Sequence, residues 1–520
     1  MLARTRHCLR LSKVPNYRHA HTARTVGEDA RWPGWRVVVG IEVHAQIKSR
    51  EKLFSNTWTS DLAQVSNMHV SPYDAAFPGT LPQLNPRCVE LGVRTAIALN
   101  ANVHHRSAFD RKHYFYADLP SGYQITQHYA PFATGGLLEL PNAGKAVRIH
   151  QIQLEQDTGK STFDARRRLS SIDLNRAGTG LMEIVSEPDM ESPEEAGEYV
   201  RALQALLRSV GSSNGNMEQG SLRCDVNVSV NKPGEPLGTR CEIKNINSVK
   251  FMMTAIASEV FRHIELLDQG QPVAQETRGF DEQKAETYAL RSKEDAPDYR
   301  YMPDPNIPPL FIDGTYITNI RNHMPELPSA TKARLMAMGL TARDADVLMT
   351  VDIGREVGYD GALGQGAVSY FDQLAHGRDT KVAVNWIIHE LLGQLALRHE
   401  TFKDNTMSVI QMGELVDLVQ SKKITGTSGK TILRHILTHR SSEMPSTIAA
   451  KLQLLVSPDT DGTALEAWCT EAIEAMPRES EAVRKGNVNV LNKLLGHVMR
   501  TSRGRADAQT AKATLQRLLS

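Results

Sequence analysis

Long hydrophobic runs are absent from this sequence of 520 residues, although 41% of the residues are hydrophobic. A membrane-spanning helix needs roughly 20 consecutive apolar residues, so we expect no membrane span and a chain of two to four globular domains. Cysteine is also scarce, because the chain has only five cysteines and none follows Cys-x-x-Cys spacing. This pattern argues against a disulfide scaffold or a thiolate zinc site and is typical of a reducing compartment.

An excess of charge of one sign is absent too, since 60 lysines and arginines accompany 59 aspartates and glutamates. Any contact with nucleic acid must therefore come from local basic patches. The amino terminus is the exception, because residues 1–27 contain six lysines and arginines and no acidic residue. This composition is typical of an organelle transit peptide, and a disordered tail that binds RNA is the alternative. We predict a transit peptide over residues 1–28.

A complete phosphate-binding P-loop is also missing. The stretches Gly159-Lys160-Ser161 and Gly429-Lys430-Thr431 end like one. A P-loop needs a further glycine five residues before its second glycine, because only glycine tolerates that bend around a phosphate, but Leu154 and Ile424 stand there. We therefore expect any ATP chemistry to rely on carboxylates and a metal ion.

Hydrophobic patterning divides the chain into three parts. Residues 35–315 are rich in short β-type runs and in glycine and proline turns, whereas apolar residues recur at helical spacing from 316 onward. We predict an α+β fold with a sheet-based domain at 29–315, a helical connector domain at 316–405 and a small all-helical tail domain at 406–520.

Several predicted strands of the first domain carry ionisable residues on one face. Period-two alternation puts Glu42 and His44 together in "GIEVHAQI", and Glu155, Arg223, Glu242 and Lys244 occupy similar polar faces elsewhere. Water alone would explain each strand singly. An antiparallel sheet with a concave polar face would instead bring together Glu42, His44, Glu155, Glu218 and Glu242. Oxygen ligands of this kind suit Mg²⁺, whereas zinc would favour cysteine or more histidine.

Seven ordered motifs resemble one known family, the B subunits of the glutamyl-tRNA(Gln) amidotransferases (the GatB family) in their mitochondrial form. They are "GIEVHAQI", "KHYFYADLPSGYQITQ", "IHQIQLEQDTGKS", "IDLNRAGTGLMEIVSEPDM", "NMEQGSLRCDVNVSV", "CEIKNINSVKFM" and "ETYALRSKEDAPDYRYMPDPNIPPL". The resemblance continues through "VNWIIHELLG" into the tail and covers nearly the whole chain after the predicted transit peptide.

This resemblance implies a ligase that uses ATP as a substrate and Mg²⁺ as its metal ion. The family phosphorylates the side-chain carboxylate of glutamate on Glu-tRNA(Gln), and ammonia then displaces the phosphate to form Gln-tRNA(Gln). The ammonia comes from a partner amidase subunit of the GatA type, and a small third subunit of the GatC or GatF type completes the complex. The resemblance also implies a cradle similar to glutamine synthetase, built on antiparallel sheet, and a location in the mitochondrial matrix.

The resemblance also implies roles for individual residues. It implies a metal site that contains Glu42, His44, Glu155 and Glu242, and Glu218 is a further candidate ligand. Our candidates for catalytic residues are Glu42, Lys112 and Glu155. Lys112 would orient phosphate or guard ammonia entry, and a surface lysine beside two core tyrosines is the alternative. Arg223 and Lys244 would bind the nucleotide phosphates, and pairing with neighbouring carboxylates is equally compatible with the sequence.

The chain departs from part of the family at one place. Some members carry paired cysteines before a Pro-Gly turn and bind zinc there, whereas this chain has Val70, Ser71, Tyr73 and Asp74 in that region. We therefore expect no zinc.

The basic residues of the tail resemble a surface that contacts tRNA phosphates, and they are Lys485, Arg500, Arg503 and Arg505. A solvated helix face is the alternative. Two other functions are also compatible with parts of the sequence, namely a free-standing ligase for a small molecule and a tRNA-binding scaffold without chemistry. The helical tail argues against the first of these, and the retained acidic residues argue against the second.

Overall fold

The computed structural model describes residues 29–59, 65–292, 299–456, 463–485, 487–502 and 505–519. The predicted transit peptide and Arg503 lie outside these residues. The strands are β1 (Arg36–Gln46), β2 (Asn102–Val103), β3 (Arg106–Ser107), β4 (Asp110–His113), β5 (Tyr123–Thr126), β6 (Ala133–Thr134), β7 (Leu137–Leu140), β8 (Lys145–Gln156), β9 (Lys160–Asp164), β10 (Leu169–Asp173), β11 (Gly180–Ser186), β12 (Leu222–Asn231), β13 (Cys241–Ile246), β14 (Glu276–Asp281), β15 (Glu286–Ser292), β16 (Arg300–Pro303) and β17 (Leu310–Phe311).

The helices follow mainly in the second half of the chain. They are α1 (Pro86–Ala98), α2 (Pro193–Ser209), α3 (Val249–Asp268), α4 (Gly314–Asn322), α5 (Pro328–Ala337), α6 (Ala342–Ile353), α7 (Ala367–Ala375), α8 (Thr380–Asn385), α9 (Leu392–Leu397), α10 (Val409–Gln420), α11 (Gly426–His439), α12 (Pro445–Lys451), α13 (Thr463–Ala475), α14 (Pro477–Arg484), α15 (Leu491–Thr501) and α16 (Ala508–Leu519). A π-helical stretch, Trp386–Leu391, joins α8 to α9. None of the described helices is long and apolar enough to cross a membrane.

Ten strands form one large sheet in the order β15-β14-β13-β12-β1-β11-β8-β6-β2, with β7 also paired to β8. Its neighbouring strands are antiparallel except β13 and β14, which are parallel. The central strand β1 shows why the chain folds this way. Ile41 and Val43 are buried on one face, because β-branched side chains pack well on a pleated surface, while Glu42 and His44 lie on the other.

The first apolar core lies between this sheet and helices α1 to α3, and it contains buried residues from Trp32 to Ile320. Local capping sets where these helices begin. The Ser192 side chain accepts a hydrogen bond from the amide of Glu195 at the start of α2, and Pro193 occupies the first helical turn. The Ser248 side chain caps α3 in the same way. The helices therefore cover one face of the sheet and leave the polar face available for chemistry.

Two further apolar cores lie in the helical part. One contains buried residues from Leu335 to Leu454, and the other contains buried residues from Leu465 to Leu519. The α+β prediction is confirmed in its coarse form, with a sheet-rich first part and a helical second part. The predicted domain bounds stay predictions, but the second core takes residues from both sides of residue 405.

Candidate functional site

The polar face of the large sheet aligns the predicted site residues across four strands. In the antiparallel register, His44 on β1 lies opposite Arg223 on β12 and Glu183 on β11. Glu183 in turn lies opposite Gln153 on β8, whose side-chain amide donates to a Glu183 oxygen over 2.7 Å. Residues directly opposite in such a sheet point to the same face, so this row places the Glu183 carboxylate beside the His44 imidazole.

Glu42, His44 and Glu183 form the most compact acidic group of this face. Each offers one ligand atom, and these three atoms lie within 4.8 Å of one another. His44 Nε2 is 3.3 Å from Glu42 Oε1. Glu183 has 7% of its surface exposed, so its carboxylate meets little water. Among the described residues, this is one of two groups that lie close enough together to hold a metal ion.

Burial and mutual charge decide the protonation of this group. Burial would raise the pKa of Glu42, but its hydrogen bond with His44 lowers that pKa overall. Burial opposes protonation of His44, yet the hydrogen bond to Glu42 and the charge of Glu183 raise its pKa to about 9. Burial, with the negative charges of Glu155 and Glu42, raises the pKa of Glu183 well above its usual range. Without a cation, these shifts leave Glu42 ionised, His44 protonated and Glu183 able to keep its proton at a higher pH than an ordinary carboxyl group.

The geometry of this group fits a divalent cation, which would displace these protons on binding. Two carboxylates and one imidazole, clustered at ligand distance, supply the oxygen-rich donor set that Mg²⁺ accepts, and water would fill the remaining positions. A cation would relieve the repulsion between Glu183 and its carboxylate neighbours.

Lys112 approaches the same face from a separate small sheet, which has the order β16-β4-β5. Lys112 Nζ is 3.5 Å from Glu155 Oε2, and the Gln124 side-chain amide lies 3.4 Å from the other Glu155 oxygen. Burial would lower the pKa of Lys112, but the charges of Glu155 and Glu183 raise it overall. Lys112 is therefore a protonated, largely buried cation that faces the acidic group, unlike the surface lysine of the alternative interpretation.

Arg223 and Lys244 pair with carboxylates in this structure. Arg223 Nη2 is 2.8 Å from Asp157 Oδ1, and the attraction to Asp157 raises the pKa of Arg223. Lys244 Nζ is 3.1 Å from Glu242 and also contacts Asp225. These contacts match the alternative in which both cations pair with neighbouring acids, and their binding of a nucleotide stays a prediction.

A cavity of about 530 Å³ connects these groups. Its lining includes His44, Lys112, Glu155, Asp157, Lys160, Arg176, Glu218, Arg223 and Lys244. The cavity therefore presents carboxylates and cations together, as a site for an anionic substrate and a metal ion requires.

The structure brings together only some of the five predicted metal ligands. Within the described residues, Glu155, Glu218 and Glu242 lie outside the compact group, and Glu218 is an exposed residue at the cavity wall. Their role as ligands stays a prediction. Glu183 was not among the residues predicted from the sequence, although it is the one charged residue in the apolar strand "GLMEIVS". A lone carboxylate inside such a strand could have indicated a functional residue, because burial of an unpaired charge is costly.

A second group, Cys241, Glu259 and His263, also lies close enough together to hold a metal ion. Its charges are already balanced, because Arg262 and Arg278 contact the Glu259 carboxylate at 2.5 and 3.0 Å. His263 Nε2 lies 2.9 Å from the same carboxylate. A cation would meet two arginines here, so the group holds α3 on the sheet rather than binding a metal.

Comparison with known proteins shows the family of the chain. Residues 37–318 match the family described as the GatB/GatE catalytic domain, and residues 369–519 match the GatB domain. The chain is 56% identical to the B subunit of the mitochondrial glutamyl-tRNA(Gln) amidotransferase of Laccaria bicolor, over 100% of this chain and 98% of the relative.

Two further relatives extend the comparison. The protein of the same name from Cryptococcus neoformans var. neoformans is 48% identical over 94% of each chain. The B subunit of the aspartyl/glutamyl-tRNA(Asn/Gln) amidotransferase of a Methylobacterium species is 43% identical over 93% of this chain and 95% of the relative. The chain therefore belongs to the GatB family, the B subunits of the glutamyl-tRNA(Gln) amidotransferases.

Proposed function

We propose that this chain carries out the ATP- and Mg²⁺-dependent half of Gln-tRNA(Gln) formation in the cavity that His44, Lys112 and Glu155 line. The chain is one subunit of a glutamine-hydrolysing ligase that forms C–N bonds. The observation that carries the proposal is the compact group of Glu42, His44 and Glu183 beside the cations of the same cavity. Phosphoryl transfer between two anions needs this combination of a metal site and cations.

The reaction has two steps. A side-chain carboxylate oxygen of tRNA-bound glutamate forms a bond to the γ-phosphorus of ATP, and the bond from that phosphorus to ADP breaks. The nitrogen of ammonia then forms a bond to the activated acyl carbon, and phosphate and a proton leave. When bound, Mg²⁺ would neutralise charge on the transferring phosphoryl group.

The residues of the chain bind and orient the reactants. Glu42, His44 and Glu183 would hold the metal ion, and Lys112 keeps its proton and presents positive charge 3.5 Å from Glu155. Arg223 lies at the cavity wall with Asp157 and can exchange that partner for phosphate, because guanidinium binds both anions in the same geometry.

Membership of the family supports a proposal for the partner subunits and the location. We propose an amidase partner of the GatA type, a third subunit of the GatC or GatF type, and work in the mitochondrial matrix, since three of the relatives are named mitochondrial. The sheet-based part would form a cradle similar to that of glutamine synthetase.

The tail would contact tRNA through its basic residues. Lys485 is exposed and pairs with Glu481 over 2.8 Å, and the Arg505 guanidinium lies 5.2 Å from the centre of the Trp468 ring. Arg500 lies in the last turn of α15.

Replacement of Glu155 tests the proposed function. In the assembled complex, Glu155→Gln should reduce ATP-dependent amide formation on Glu-tRNA(Gln) by about 100-fold or more, because it removes charge that only the phosphorylating half uses. Glutamine hydrolysis by the amidase should survive. The measurement is single-turnover conversion of labelled Glu-tRNA(Gln), with glutaminase activity assayed in parallel.

The matched control is Glu187→Gln. Glu187 is a glutamate that lies outside the cavity lining and pairs with His150 over 2.9 Å. This replacement should leave both activities unchanged. Normal amide formation by Glu155→Gln would rule out Glu155 as an essential residue.

A further inference from the structure

A β-hairpin, formed by β9 and β10, stands apart from the large sheet. The two strands pair only with each other among the described residues. Residues 160–171 are all exposed, including Phe163 at 66% and Leu169 at 55%. A two-stranded hairpin is marginally stable in water unless something packs against it. The hairpin therefore has the exposure expected of a contact surface.

The tip of this hairpin concentrates positive charge. Residues 160–173 contain four basic and two acidic residues, and three of the basic residues are the consecutive arginines Arg166, Arg167 and Arg168. Asp164 is used mainly to shape the turn, because it accepts hydrogen bonds from the amides of Arg166 and Arg167 over 2.9 and 3.2 Å. Among these three arginines and within the described residues, Arg167 is the one that approaches a carboxylate, at 3.7 Å from Asp164, and its side chain is 80% exposed. Within the part of the chain that the structure describes, Arg166 and Arg168 have no carboxylate partner.

The base of the hairpin is held firmly beside the proposed site. Asn67 donates its amide to Asp173 over 3.1 Å and its side-chain nitrogen to the Ile172 carbonyl over 3.0 Å. On the other strand, Arg176 donates to the carbonyls of Thr158 and Gly159 over 3.0 and 2.6 Å. These contacts attach both ends of the hairpin to the rest of the sheet-based part.

The hairpin is also continuous with the cavity. It follows β8 directly, and its first residue, Lys160, lines the same cavity as Glu155. Cations thus lie both at the cavity wall and at the tip of the same hairpin.

We propose that this hairpin arm, residues 160–173, binds the phosphate backbone of the tRNA substrate near its acceptor end. The inference rests on the proposed function, because the reacting glutamate must enter the cavity while attached to a polyanion. Exposed arginines with few acidic neighbours suit phosphate, and such contacts position a nucleic acid without reading its sequence. The net charge of the whole chain is only +1, so attraction to tRNA phosphates must come from local groups of basic residues such as this one.

The test measures tRNA affinity of the complete amidotransferase complex over a series of KCl concentrations. We expect the triple variant Arg166→Ala, Arg167→Ala, Arg168→Ala to raise the Kd for uncharged tRNA(Gln) roughly 10- to 100-fold at low salt. The slope of log K against log salt should fall by about 2 to 3, since each phosphate contact contributes roughly 0.7 to 0.9. A non-cognate tRNA should lose affinity to the same extent.

Two control variants separate charge from other effects. The triple replacement of the same arginines by lysine keeps the charge and should keep most of the slope. The second control, Lys232→Ala, Lys250→Ala, Lys284→Ala, removes three exposed cations elsewhere in the sheet-based part and should leave affinity unchanged. At saturating tRNA, all three variants should form amide at the wild-type rate, because the cavity residues are intact.

Two results would overturn the inference. One is an unchanged Kd and slope in the alanine variant while amide formation is normal, which would reject the arm as a tRNA contact but leave the proposed function standing. The other combines two observations. The variant Phe163→Ser, Leu169→Ser loses the amidase or third subunit from the complex, while the alanine variant keeps its tRNA affinity. This result would assign the arm to a protein partner. Failure of the proposed function would instead appear as no ATP-dependent amide formation by the wild-type complex.

Discussion

A buried ion pair between two residues stabilises the loop that follows β1. Lys52 and Asp74 form an ion pair of 3.0 Å whose side chains are 0% and 1% exposed. Lys52 Nζ also donates to the His69 carbonyl over 2.7 Å, and Ser55 donates to Asp74. Asp74 lies in the region where some family members carry paired cysteines. A buried ion pair thus holds this loop together in the present chain.

Gly178 lies against this ion pair and bonds to Asp157, a residue of the cavity lining. Gly178 has a φ of +84°, and a Cβ there would lie 2.4 Å from Asp74 Oδ1. Its amide donates to the Asp157 carbonyl over 2.9 Å, and Asp157 holds Arg223. Only glycine meets both requirements, because other residues rarely adopt this conformation and all would clash.

We expect Lys52→Met to lower the free energy of unfolding of the sheet-based part by about 3 to 5 kcal/mol, because it leaves the Asp74 carboxylate buried without its cation. The double variant Lys52→Met, Asp74→Leu should be more stable than the single variant, since no charge is then left unpaired. Urea unfolding followed by circular dichroism provides the measurement. A double variant that is less stable than the single variant would contradict this account.

Elements are joined by a second charged network, in which α3 packs against β14 and β15. Burial would raise the pKa of Glu259, but hydrogen bonds from His263, Arg262 and Thr287 lower it overall. Because the pKa in the folded state is below the ordinary value of 4.5, the ionised Glu259 stabilises the fold above about pH 4.5. That contribution is lost as the pH falls below 4.5 towards the folded-state pKa.

We therefore expect Glu259→Gln to lower the free energy of unfolding at pH 7 by about 3 to 5 kcal/mol, because two arginines lose their buried anion. The difference from wild type should shrink as the pH is lowered below about 4.5. Thermal unfolding over a pH series measures both effects. Glu265→Gln, on the same helix, provides a control that should follow wild type. A difference that does not change with pH would argue against a role for the ionised Glu259.

At the scale of the whole molecule, the described residues form three apolar cores, and the second of them has members on both sides of the predicted boundary at residue 405. Its members after that position include Met407, Met412, Leu415, Val416, Ile432 and Leu433. The third core contains residues only from α13 onward, starting at Leu465. The apolar packing thus joins α10, α11 and α12 to the core that also contains α7 and α8.

Truncated chains test this division. A chain that ends at Val456 should keep a cooperative unfolding transition for the second core, because that core is complete. A chain that ends at Asn405 should lose that transition and aggregate, since it exposes the apolar faces of α7 and α8. Calorimetry with size-exclusion chromatography distinguishes the two. If the shorter chain keeps the full set of transitions, the helices before and after residue 405 fold independently.

The sequence by itself determined several properties of this protein. The alternation in β1 placed Glu42 and His44 on one polar face, because side-chain direction in a strand depends only on local spacing. The missing glycines excluded a P-loop, and the ordered motifs identified the family. Each of these rests on residues that are close together along the chain.

Only the tertiary structure decided which side chains meet. Glu183 joins His44 because β11 pairs with β1 in one register, and a shift of one residue would turn Glu183 to the other face. Arg223 finds Asp157, 66 positions away, by the same means. The second core includes α10 and α11 because α10 packs against α7 and α11 packs against α10. Helical periodicity shows that an apolar face exists but not what it packs against. Contacts between distant segments depend on pairing and packing, which local spacing does not encode.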